Sequence, residues 1–206
     1  MESGSLQWYD YIPGITNRMN LIPGALLLGI LSLCTAEQCS CPVVDNVALR
    51  GRSTQSQLLQ GESGYLAASS NAIDGNHNPN LIQGSCSHTA SHSSPWWRVD
   101  LLAPHRVNLV VITNRGDCCA ERINGAEIRI GSSLENEGNS NPRCATIHSI
   151  PAGISRTYSC SAMEGRYVNV VIPGKKEYLC LCEVEVYAVP SSKDCCSKGC
   201  IQNNSN

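Results

Sequence analysis

The chain has 206 residues, a formal net charge of −2 and only 16% charged residues, which gives no clustered basic face for nucleic acid and is long enough for one β-sandwich or barrel of roughly 150 residues. Phe is absent and aromatics make up 5% of the chain, so the core must rest on Val, Ile, Leu and the three Trp. Thirteen cysteines do not suit a reducing compartment unless several bind metal, and the oxidising compartment is the better reading.

The apolar stretch Leu21–Cys34 follows Arg18 and precedes the small pair Thr35-Ala36, the pattern of a secretory signal cleaved after Ala36. It is shorter than the about 20 residues of a membrane helix, so a secreted protein without membrane insertion is expected. Met19 begins a signal of ordinary shape, and residues 1–18 read as an upstream extension. Residues 1–36 are therefore set apart as extension and signal, and 37–42 as a short cysteine-containing segment.

From Cys41 onward, short alternating or apolar runs are separated by Gly, Asn, Ser and Pro clusters, which predicts an all-β domain over residues 43–189. Predicted strands are Val47–Arg50, Trp97–Leu102, Val107–Thr113, Ala126–Ile130, Tyr167–Ile172 and Leu181–Val189. In the last, Cys182, Val184, Val186 and Ala188 share the core face, and Glu183, Glu185 and Tyr187 share the wet one. The nearly continuous apolar run Val107–Thr113 predicts an inner strand. Gly51–Ser94 and Gly131–Gly153 read as the loops that carry function. Trp96 and Trp97 sit at a strand start and read as core and rim rather than as a stacking platform. Residues 190–206 form a polar, cysteine-rich tail with the one N-x-S/T sequon, at Asn203.

Thr113–Arg122 reads TNRGDCCAER. A guanidinium offers five donors in a fixed plane, suited to sugar hydroxyls and ring oxygens, and Asp117 between Arg115 and Arg122 can hold both forks. A plain surface ion pair would look the same. Cys118 and Cys119 read either as two cysteines with separate partners or as a vicinal disulfide, whose rigid apolar edge could replace the aromatic platform of other sugar-binding proteins. The segment SNAIDGN clusters the oxygens a hard cation requires, although such a turn alone is commonly just a turn.

His88, 26 intervening residues, Arg115-x-Asp117, four more residues and Arg122 reproduce the signature of the F-type lectins. The blocks NVALRGRSTQS, GSCSH, PWWRVDLL and LCEVEV also resemble the eel-type fucolectins of that family, over roughly Val43–Val189. The resemblance implies a discoidin-like jelly-roll β-barrel of the galactose-binding-domain type that binds terminal α-L-fucose on cell-surface glycans, in agglutination and innate recognition. It assigns His88, Arg115 and Arg122 as the polar triad, Asp117 as orienting both arginines, and Cys118–Cys119 as a vicinal disulfide against the sugar ring. Leu59, Leu81 and Ile82 are candidates, by position, for the recess of the fucose methyl. A structural Ca²⁺ would be held by Asn71, Asp74, Asn76, Ser85, Cys182 and Glu183, and disulfides would join Cys86 to Cys182 and Cys144 to Cys160. With Cys34 removed, Cys39, Cys41, Cys180, Cys195, Cys196 and Cys200 are left over, and a homo-oligomer is expected.

Two other function classes compete. An enzyme such as a glycosidase needs two opposed carboxylates in a cleft, and the chain has no G-x-S-x-G nucleophile motif. A discoidin-like membrane- or protein-binding adhesion module is the alternative, but it would lack the His-Arg-Asp-Arg signature. Zinc on Cys39/Cys41 or Cys180/Cys182 does not match the usual C-x₂₋₄-C spacing with a second pair.

Overall fold

The computed structural model describes residues 43–61 and 64–191. The predicted signal, the upstream extension, the 37–42 segment and the tail beyond Ser191 lie outside these residues. Among the described residues there are eleven strands: β1 (Asp45–Asn46), β2 (Arg52–Gln55), β3 (Ser87–His88), β4 (His92–Ser93), β5 (Trp96–Thr113), β6 (Glu127–Gly131), β7 (Arg143–Thr146), β8 (Ser155–Val171), β9 (Lys176–Glu177), β10 (Cys180–Leu181) and β11 (Glu183–Pro190).

The architecture is organised by the long antiparallel pair β5 and β8. The first half of β5 pairs with β2 and with the end of β8, which continues to β6 and β7, whereas its second half pairs with β11 and the start of β8, and β11 carries β1. The bend between the halves falls where pairing breaks from Asp100 to His105, around Leu102 at φ 68° and Pro104. Trp97 and Val99 from one half and Val107, Val110 and Ile112 from the other enter one buried cluster with Ile128, Ile130, Val168, Val170, Val184 and Val186. Two layers thus face each other across a single core.

Strict alternation would turn Val110 away from the face that Val107 shares. A register shift between Val107 and Leu109 restores both to the core, with Ser161 and Ala162 of β8 in the left-handed region opposite. Gly165 of β8 crosses the end of β6 so closely that a Cβ would stand 2.6 Å from the Gly131 backbone nitrogen.

Several sequence readings are corrected. Val47–Arg50 is a 3-10 turn rather than a strand, because the Asn46 side chain accepts from Ala48 N and starts the turn. The predicted strands 97–102 and 107–113 are one bent strand, and 181–189 is divided between β10 and β11. Ser155–Arg166 is strand that the sequence hides, since its residues are largely polar and exposed. The supposed loops contain β2, β3, β4 and β7. Glu183 is fully buried, not on a wet face. Trp97 is buried in the core, and Trp96 is half-buried at its rim.

Candidate functional site

His88 lies on β3 and is 2% exposed. Its Nδ1 is 2.7 Å from the Thr89 carbonyl oxygen, so Nδ1 carries the proton and Nε2 presents a lone pair. Burial, and after it the guanidinium charges of Arg115 and Arg122, hold its pKa below the ordinary value, although the Thr89 carbonyl and Asp117 oppose this. The imidazole is a neutral acceptor.

Arg115 follows β5 on a braced loop. Buried Asn114 donates to the carbonyls of Ala120 and Ile150 and accepts from Arg115 N. Gly116 N donates to Pro79 O, and a Cβ at Gly116 would meet Pro79 and Gly153 atoms at 3.1 Å. Asp117 grips Arg115 through two bonds, Nε to Oδ1 at 2.9 Å and Nη2 to Oδ2 at 2.6 Å, and also accepts from Leu81 N. The Arg115 hydrogen bonds keep the Asp117 carboxyl below its ordinary range.

Cys118 and Cys119 form a disulfide. Cys119, at φ 59°, turns the chain into the 3-10 segment Ala120–Ile123 that carries Arg122. The Arg122 guanidinium lies 4.7 Å from the Tyr178 ring centroid, its Nε is 3.9 Å from Glu177 Oε1, and the Tyr178 ring is 5.4 Å from that of His88. Here the expectation for Asp117 needs correction. It positions Arg115 alone, while Glu177 and Tyr178 position Arg122. Neither was singled out in the sequence, and the adjacency of an acid and a tyrosine in KKEYLC was the only available signal.

Cys180 lies among these groups as a buried thiol with no disulfide partner among the described residues. Burial pushes it up to about 12 against the opposing pull of Arg115, so it stays protonated. Two of the three candidates for an apolar recess come together beside Cys180, and the third lies outside. Leu81 is buried in a satellite cluster with Ala67, Cys86, Cys180 and Cys182, Leu59 packs on that cluster, and Ile82 is 70% exposed.

Of the candidate cation ligands, Asp74 and Glu183 are brought together through Gly75. Asn71 Nδ2 donates to the carbonyls of Leu66 and Cys86, Asp74 accepts from Asn76 N, and Asn76 accepts from Asn78 N. Ser85 is buried and donates to the Asn78 and Asn80 carbonyls. Glu183 accepts from Gly75 N at 3.3 Å through Oε1, while its buried Oε2 has no partner among the described residues. Burial raises its pKa to about 7, opposed by the Gly75 hydrogen bond and reinforced by Asp74 and Glu185. An unpaired buried carboxylate oxygen beside a second carboxylate is costly unless a cation neutralises it, and oxygen-only donors suit a hard ion. The residues fit calcium. Cys182 is bonded to Cys86 and offers no free thiolate, and the third disulfide joins Cys144 to Cys160.

Residues 71–170 match the family described as NedA-like, galactose-binding domain. The chain is 55% identical to Fucolectin-4 of Anguilla japonica over 170 residues, covering 80% of this chain and 94% of that protein. It is 44% identical to a pentraxin fusion protein of Xenopus laevis, of which it spans 35%. Among solved structures, an F-lectin from striped bass (Morone saxatilis) serum superposes with a TM-score of 0.67 at 57% identity, covering 72% of this chain and 48% of that one. A fucose-binding module of Streptococcus pneumoniae superposes at 0.59 with 26% identity, covering 70% of this chain and 98% of the module. The expected discoidin-like fold of the galactose-binding type is therefore the fold of this domain.

Proposed function

Because the chain belongs to the fucolectin family of F-type lectins, whose members bind carbohydrate and are not enzymes, we propose that it recognises terminal α-L-fucose on glycans through His88, Arg115 and Arg122. One observation carries this reading: a neutral histidine acceptor and two oriented arginine donors converge around Tyr178 and Cys180. A hydroxyl between His88 Nε2 and an arginine can donate to the first and accept from the second, a pairing that the axial 4-hydroxyl of fucose satisfies. The other guanidinium hydrogens, which only donate, serve the 3-hydroxyl and the ring oxygen. A sugar that leaves one of these desolvated groups unpaired loses about 1–3 kcal/mol, which is the source of selectivity. The Cys118–Cys119 disulfide supplies an apolar edge to the ring.

When bound, Ca²⁺ would supply the positive charge that Asp74 and Glu183 leave uncompensated. Asn71, Asn76, Ser85 and Cys182 would complete the oxygen shell, the last through its carbonyl. Asn71 also links this region to the Cys86 carbonyl, two residues before His88, so bracing it braces the acceptor.

Secretion through the signal at Leu21–Cys34 agrees with three disulfides, and no helix among the described residues is long and apolar enough to cross a membrane. A covalent homo-oligomer through the cysteines flanking the domain would raise the avidity of a weak site by about 10²–10⁴ and suits agglutination and innate recognition of foreign glycans. Non-reducing electrophoresis, with a chain ending at Val189 as control, tests it. A single band at monomer mass would reject covalent assembly.

Titration calorimetry with L-fucose tests the sugar site itself. A dissociation constant on the order of 0.01–1 mM is expected, lost in Arg115→Ala and Arg122→Ala with nearly unchanged thermal transitions. Unaltered affinity in both variants would reject the assignment.

A further inference from the structure

A cavity of about 310 Å³ is lined by none of the three triad residues, although the β4–β9 ribbon contributes to both places. Glu177 of β9 faces Arg122, while its pairing partner His92 and the adjacent Ser93 line this other cavity. Trp96, Arg129, Asn136 and Asn139 complete the polar and aromatic lining, and Val171 and Pro173 give it an apolar wall.

The charged groups here are already compensated. Arg129 is bound by the Glu127 carboxylate and by the Asn141 carbonyl. Arg98, whose guanidinium caps the Trp96 ring at 5.1 Å, donates to the Glu137 carbonyl and pairs with its carboxylate. Both ring nitrogens of His92 are engaged, Nδ1 with Ser93 O and Nε2 with Ser56 Oγ. Among the lining residues an anion would find no unpaired guanidinium, and a cation no carboxylate. What remains available is neutral. Asn136 makes no side-chain hydrogen bond among the described residues, and Asn139 uses only its Oδ1, which accepts from Asn169. The Ser93 hydroxyl is also uncommitted.

We infer that this cavity is a second saccharide site, taking a neutral pyranose whose apolar face packs on Trp96 and Pro173 while its hydroxyls meet the Asn136 and Asn139 amides and the Ser93 hydroxyl. An aromatic surface beside unpaired amide and hydroxyl groups complements the two-faced surface of a sugar ring. Asn136 sits at φ 49°, a left-handed conformation that asparagine tolerates and glycine adopts freely. The cavity needs nothing from His88, Arg115 or Arg122, so the lectin would hold two sugars independently.

The test is two-dimensional NMR of the ¹⁵N-labelled full chain, titrated separately with methyl α-D-mannopyranoside, methyl β-D-galactopyranoside and N-acetyl-D-glucosamine, with L-fucose as a control arm. At least one of the three should shift the Trp96 indole and the Asn136 and Asn139 side-chain amides, saturating in the roughly millimolar range of shallow sugar sites. Asn136→Gly preserves the backbone and should weaken that binding about threefold to tenfold, the worth of one hydrogen bond. Arg115→Ala should leave it unchanged while removing the response to fucose. Absence of shifts with all three sugars, shifts that disappear in Arg115→Ala, or indifference to Asn136→Gly would each overturn the proposal. The fucose arm reports separately on the first site.

Discussion

The guanidinium of Arg122 lies over the ring of Tyr178, its carbon 4.7 Å from the ring centroid. This contact places a donor without spending any of its hydrogens, because the attraction is between charge and ring face. Tyr178→Leu should therefore weaken fucose binding about tenfold by calorimetry, and Tyr178→Phe should stay within about threefold of the parent. Parent affinity in Tyr178→Leu would mean that Glu177 alone orients Arg122.

The lone pair on His88 Nε2 gives fucose binding a pH dependence. Burial, joined by the nearby arginines, holds the His88 pKa below its ordinary value of 6.5, so the ring remains an acceptor from pH 8 down through that value. Affinity should be flat over this range and decline only on further acidification, once protonation turns the acceptor into a donor. Loss of binding already at pH 7 would contradict a neutral, buried role.

For the cation site, folded-state Glu183 titrates near 7 against an ordinary 4.5. A carboxyl whose folded pKa is raised favours folding while protonated, so its contribution is full below about 4.5 and is lost as pH rises through about 7. In chelator, the melting temperature should therefore fall between these values, and Glu183→Gln should flatten the fall. Calcium should reverse it, adding about 2.7 kcal/mol at a hundredfold excess over its dissociation constant. Asp74→Ala should remove the calcium response. A melting curve indifferent to both chelator and Asp74→Ala would argue against the ion.

Two of the disulfides should behave oppositely on removal. Cys86–Cys182 closes a sequence separation of 96, so Cys86→Ser with Cys182→Ser should cost about 3–5 kcal/mol in denaturant unfolding. Cys118–Cys119 spans neighbours and restrains almost no chain entropy. Its double serine variant should retain stability while losing fucose affinity, since its apolar edge serves the ligand. Large destabilisation by the vicinal variant would make that disulfide a fold element instead.

What the sequence determined by itself was the class of protein and the polar heart of the site. Alternating short runs with Gly and Asn breaks announced β-structure, and His88, Arg115, Asp117 and Arg122 are readable because their spacing is carried by one short loop and one long interval. The individual strands were less legible. Ser155–Arg166 is exposed on most positions and shows no apolar period, and its strand state comes from pairing with β5. Only the tertiary structure decided how the site is supported. Tyr178 and Glu177 lie more than fifty residues after Arg122 in the chain, and nothing local records that they would meet it. The same holds for Glu183, which alternation assigned to solvent. Its neighbourhood is built by Gly75 and Asp74, more than a hundred residues earlier, and burial is a property of what packs on a residue, not of the residue's own place in a strand.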